Sequence, residues 1–105
     1  MTIHRNAARA DGNRGPIVAA FQAAGAYVFD LRRPVDILVG CAGVTALVEI
    51  KRMTGKRDPK PAPRTEAQIK FFNEWPGGIL STVTDADGAL RLVRVMREIG
   101  RKATG

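Results

Sequence analysis

Asp36, Glu49 and Lys51 are the residues whose types and spacing best suit chemistry. They lie in two apolar runs, 35–41 and 44–51, separated only by Ala42-Gly43. A two-residue turn at that point makes the runs a β-hairpin. With Cys41 facing Val44, Asp36 falls opposite Glu49, and opposed residues share a face with Cβ atoms about 5 Å apart. Lys51, two residues further on, joins that face. The other face then pairs Val35 with Ile50, Ile37 with Val48 and Val39 with Ala46, and all six are apolar. A one-residue slip would destroy both features, whereas a balanced bulge or a loop longer by two would preserve them. Two carboxylates this close repel unless a cation or a proton lies between them. Magnesium is a natural occupant, since it binds one or two carboxylates and keeps several waters. A lysine beside it can orient or help deprotonate a water and stabilise charge on a phosphate, which is the equipment of phosphodiester hydrolysis. The same trio also reads as a surface cluster in which Lys51 neutralises two acids.

The elements that must carry these residues follow from pattern. Pro16–Gly25 reads as a helix with proline in its first turn, a stripe of Ile17, Phe21 and Ala24, and a glycine stop. Ala26–Asp30 reads as a short strand, broken by Arg32-Arg33-Pro34. After the hairpin, 52–64 reads as a basic loop, since Pro59, Pro61 and Pro63 exclude a helix and disfavour a central strand. Thr65 and Gln68 form a capping box. The helix they open carries Phe71, Phe72 and Trp75, whose spacing suits a core stripe, and ends at Pro76-Gly77-Gly78. Ile79–Val83 is a strand. A last helix carries Ala89, Leu92, Val93 and Met96 at helical spacing. The expected order is αβββαβα in one α/β domain over 1–105. Residues 1–13 are a loosely held lead-in, and 101–105 a frayed tail.

Composition narrows the function classes. The chain of 105 residues carries 17 Lys and Arg against 10 Asp and Glu, a formal charge of +7. That surplus suits a polyanionic partner, most often nucleic acid. Arg52, Lys56, Arg57, Lys60 and Arg64 cluster in the basic loop against one acid, Asp58. The longest apolar stretches are too short to span a bilayer, and no signal peptide is read at the N-terminus. The single cysteine allows no internal disulfide, and no Cys/His cluster has zinc spacing. A reducing, cytoplasmic setting is expected. Gly40-Cys41-Ala42-Gly43 lacks the Gly-Lys-Ser/Thr ending of a phosphate-binding loop. Cys41 reads as a small core residue, and His4 lies too near the terminus to read as catalytic.

From about Arg9 to Leu92 the chain resembles the PD-(D/E)XK nuclease superfamily. It looks most like the small phage-type members of the VRR-NUC group, often described as Holliday-junction-resolvase-like. The matching residues are Arg9-Ala10-Asp11-Gly12-Asn13, Gly25-Ala26, Val35-Asp36-Ile37-Leu38-Val39-Gly40, Leu47-Val48-Glu49-Ile50-Lys51, Thr65-Glu66-Ala67-Gln68 and the Trp75–Gly77 stretch. The resemblance implies a restriction-endonuclease-like core, a mixed sheet flanked by helices. It makes Asp36 and Glu49 ligands of Mg2+ or Mn2+, with the backbone carbonyl of Ile50 as a third. It gives Lys51 the task of positioning or activating the attacking water, with Gln68 assisting.

Two positions depart from the family pattern. Val35 stands where the signature has proline, and Pro16 stands where relatives often carry an acid. The second departure points to a one-metal site, to weaker activity, or to replacement by Asp11; Asp11 and Asn13 are accessory candidates. Arg32, Arg33, Arg52, Lys56, Arg57 and Lys60 are candidates for gripping DNA phosphates. The function implied is a deoxyribonuclease of phage or bacterial replication, repair or recombination. It would leave 5′-phosphate and 3′-hydroxyl ends and select branched, flap or nicked DNA, since so short a chain has little surface for reading base edges. A homodimer would supply two active sites for two strands. The alternatives are a non-catalytic DNA-binding protein of the same fold and a nuclease subunit completed by a partner.

Overall fold

A computed structural model describes residues 13–55 and 57–104. Asp11, Lys56 and nearly all of the expected lead-in lie outside the described residues.

The hairpin turns on Ala42 and Gly43, with φ of 56° and 79°. Positive φ at both central residues is the type I′ geometry, whose twist matches that of the paired strands. Glycine adopts it freely; alanine does so at a cost. The turn joins β2 (Ile37–Cys41) to β3 (Val44–Ile50). The register is Cys41↔Val44, Val39↔Ala46 and Ile37↔Val48, as the apolar pattern requires. β1 (Tyr27–Asp30) lies antiparallel beyond β2. After β3, β4 (Met53–Thr54) and β5 (Lys60–Pro61) make a separate two-stranded ribbon.

Two helices then flank the last strand. α2 (Glu66–Glu74) precedes β6 (Ile79–Val83), and α3 (Ala86–Thr104) follows it. β6 runs parallel to β3 and completes a mixed sheet of order β1-β2-β3-β6. With α1 (Arg14–Ala23) at the start, the described residues form an α/β fold.

Alternation decides which face is buried. Ile37, Val39 and Cys41 on β2 and Ala46, Val48 and Ile50 on β3 point to one side and join the core cluster. Ile17 and Phe21 of α1 join them, with Ala89, Leu92, Val93 and Met96 of α3. α1 and α3 also pack against each other. Val35, ahead of β2, is likewise buried. Each large side chain sealed there contributes about 1.5–3 kcal/mol.

Several expectations change. α1 begins at Arg14, so Pro16 is its third residue, where a missing N–H breaks no helical bond. The segment 52–64 is not plain loop, because Met53 pairs with Pro61 and Thr54 with Lys60. α3 continues through Thr104 rather than fraying at Arg101. Arg101 and Lys102 both reach Glu98 one turn back, and basic residues in a last turn suit the helix dipole. The aromatic stripe of α2 is not core: no residue of that helix is buried, and Trp75 is 37% exposed. The inner face of the sheet is already covered by α1 and α3. α2 instead lies on the Glu49 side, held by its cap and by side-chain hydrogen bonds.

Candidate active site

Because Val48 and Ile50 enter the core, Glu49 must project from the opposite face of β3. The parallel register sets Thr82 of β6 beside it. Glu49 is nevertheless fully buried, the one buried charged residue among those described. A carboxylate removed from water costs several kcal/mol unless it is paired and hydrogen-bonded. Its Oε1 is well served: Arg64 Nε donates to it at 3.0 Å and Thr82 Oγ1 at 3.1 Å. Arg64 Nη2 also donates to Thr82 Oγ1 at 2.8 Å. The guanidinium lies 4.0 Å over the ring of Phe72, a cation–π contact. Glu49 Oε2 is buried with no hydrogen bond, and its nearby charge is Lys51 Nζ at 3.9 Å.

Lys51 is held in place from two sides. Its Nζ donates to Gln68 Oε1 at 3.0 Å and to the Pro63 carbonyl at 3.2 Å. Gln68 Oε1 also accepts from the Thr65 N–H at 3.0 Å, while Thr65 Oγ1 accepts from the Gln68 N–H at 3.2 Å. The two roles open to Gln68, helix cap and site residue, are therefore met together.

Asp36 is attached differently from the simple register. Continued evenly, the ladder would set it opposite Glu49. Instead β2 starts at Ile37, and the Asp36 N–H donates to the Val48 carbonyl at 3.1 Å. The Asp36 carbonyl accepts from the N–H groups of Leu31 and Arg32, which ties the preceding turn to it. The offset behaves as a bulge does, redirecting a side chain at a strand end. Asp36 Oδ2 accepts from the Ile50 N–H at 2.6 Å. The second carboxylate is thus pinned to the peptide that leaves Glu49, through the N–H of Ile50 rather than its carbonyl.

Asn13 closes the site from behind. Its Nδ2 donates to the carbonyls of Lys51, at 2.8 Å, and Thr84, at 3.1 Å. It binds the start of α1 to the segments following β3 and β6.

A cleft of about 450 Å³ opens over this cluster, lined by Glu49, Lys51, Lys60, Arg64, Thr82 and the 61–63 segment. Of the basic candidates, Lys60 reaches it. Arg52 and Arg57 are exposed on the ribbon side, and Arg33 is exposed before β2. Arg32 is exposed and 3.9 Å from Asp30. Sequence reasoning missed Arg64 and Thr82 as site residues. In the sequence Arg64 reads only as part of a basic run. Thr82 becomes visible only with the parallel register of β3 and β6.

Glu49, Lys51 and Arg64 meet here, and Asp36 is tied to the same strand end through the Ile50 N–H. Among the described residues no three His, Cys, Asp or Glu side chains gather as a metal site. A magnesium-type ion needs only one or two protein carboxylates. The buried Glu49 Oε2, which lacks a donor, fits such an ion. Comparison with protein-family models, curated proteins and solved structures finds no match to this chain.

Proposed function

We propose that the chain is a metal-dependent DNA phosphodiesterase with a restriction-endonuclease-like fold. The observation that carries this reading is Glu49: a buried carboxylate with one oxygen lacking a donor, 3.9 Å from Lys51, in a cleft edged by Lys60 and Arg64. Asp36 and Glu49 would hold Mg2+ or Mn2+. The ion, when bound, supplies a Lewis acid for the phosphate and makes a water more acidic.

The chain's own residues do the rest. Lys51, fixed by Gln68 and Pro63, presents its ammonium where a water must be oriented for in-line attack on phosphorus. It also offsets charge building on the phosphate oxygens. Gln68 positions Lys51 by accepting from its Nζ. Lys60, Arg52, Arg57, Arg32 and Arg33 hold flanking phosphates; none of these contacts reads sequence. The products carry 5′-phosphate and 3′-hydroxyl ends. The substrate is branched, flap or nicked DNA, and a homodimer supplies paired cuts.

A second reading has its own support. Lys51 and Arg64 both already pair with Glu49, as they would in a structural ion-pair network. On that reading the protein binds DNA without cutting it. Salt-sensitive binding is common to both, so cleavage must discriminate. Purified protein is incubated with supercoiled plasmid and with a synthetic four-way junction, each in EDTA, magnesium or manganese. Cutting with metal, and preferentially of the junction, is expected. Tight binding with no cutting of either DNA in any metal would establish the second reading.

A further inference from the structure

Arg64 occupies the position that a metal-binding glutamate least needs filled. Its Nε holds Glu49 Oε1 at 3.0 Å, its Nη2 holds Thr82, and its plane rests on Phe72. Its side chain is 38% exposed while Glu49 is fully buried. The cation can therefore leave toward the cleft; the carboxylate cannot follow. Arg64 sits between Pro63 and Thr65, at the end of the basic segment and one residue before the α2 cap, so a change of rotamer moves it without moving either element.

Charge supplies the driving force. By formal charge, the single carboxylate of Glu49 already faces two cations, Lys51 and Arg64. A divalent cation entering the cluster would meet two fixed positive charges at close range. Moving one of them onto an incoming phosphate relieves that repulsion and neutralises the phosphate.

Resting on the metal-dependent reading above, we propose that Arg64 is an exchangeable counter-cation. It holds Glu49 in the metal-free protein, yields it to the divalent ion, and then donates to a DNA phosphate. Phe72 and Thr82 keep the guanidinium in its resting position. Arg64 is therefore a competitor of the metal in the absence of DNA and a substrate-binding residue in its presence. A purely structural Arg64 would do neither.

The test is Mn2+ binding by the full chain without DNA, followed by calorimetry and by the electron paramagnetic resonance of free Mn2+. Arg64→Gln should bind Mn2+ about tenfold more tightly than wild type, since a charge-assisted competitor has been removed. Phe72→Leu, which removes only the stacking surface, should tighten binding by a smaller factor. Glu49→Gln should abolish it. DNA binding in Mn2+, measured on a four-way junction with Glu49 and Asp36 intact and cleavage blocked by phosphorothioate linkages, should weaken in Arg64→Gln. Unchanged or weaker Mn2+ binding in both Arg64→Gln and Phe72→Leu, with Glu49→Gln still abolishing it, would overturn the exchange while leaving the metal site standing. No Mn2+ binding by wild type or by either variant would overturn both.

Discussion

Gln68 Oε1 accepts two hydrogen bonds at once, from Lys51 Nζ and from the Thr65 N–H, each at 3.0 Å. One amide oxygen thus closes the start of α2 and fixes the lysine of the candidate site. The two tasks separate by mutation. Thr65→Ala removes the cap hydroxyl and leaves the Lys51 contact; Gln68→Ala keeps the hydroxyl cap but removes the Lys51 contact and the bond from the Thr65 N–H. Each should cost about 1 kcal/mol of stability, seen as a lower denaturant midpoint. Gln68→Ala alone should also reduce cleavage, by about tenfold or more. Equal activity losses in the two variants would mean that Gln68 acts only through the helix.

Asp36 should reveal its chemistry through a conservative change. Asp36→Asn retains an oxygen to accept from Ile50 N–H, so the fold should hold to within about 1 kcal/mol. Asp36→Ala leaves that N–H without its partner, which costs about 1–3 kcal/mol. Both should lose metal-dependent cleavage. Chemical denaturation beside a cleavage assay checks the pair, and an active Asp36→Asn would remove Asp36 from the ligand set.

Metal should stabilise the fold. An ion that binds only the native state adds about 2.7 kcal/mol at one hundred times its Kd. Manganese should therefore raise Tm by several degrees, EDTA should reverse the rise, and Glu49→Gln should abolish it. A rise that survives in Glu49→Gln would place the ion elsewhere.

The hairpin end makes a prediction about fold alone. α3 passes so close to the turn that a Cβ on Gly100 would run into the Ala42 carbonyl oxygen. Backbone there cannot yield as a flexible side chain would. Gly100→Ala should destabilise by about 1–3 kcal/mol, despite alanine's better helix propensity. A neutral or stabilising effect in a thermal melt would show that α3 sits further from the turn.

The parts of this architecture that depend on local pattern were legible in the sequence. Alternation in 37–41 and 44–48 narrowed the β2–β3 register, because a one-residue slip would expose Val39 and Val48. The Thr65–Gln68 spacing specified the α2 cap. What could not be read depends on contacts between distant segments. Thr82 reaches Glu49 only through the parallel pairing of β6 with β3. Arg64 reaches it only because the ribbon returns the chain across the cleft. The Asp36 offset depends on its carbonyl serving Leu31 and Arg32, a local irregularity that an even ladder hides. The aromatic stripe of α2 misled because spacing reports a face, not what lies opposite it.

The central claim is that Glu49 and Lys51 act on a phosphodiester with a divalent ion. The most direct measurement is the rate of cutting of an end-labelled four-way junction in manganese by wild type, Glu49→Gln and Lys51→Ala, each verified as folded. The account predicts cutting by wild type that stops in EDTA. It predicts loss of cutting in Glu49→Gln and a fall of about 10²-fold or more in Lys51→Ala. Cutting at the wild-type rate by both variants, or none by wild type in any metal, would contradict it.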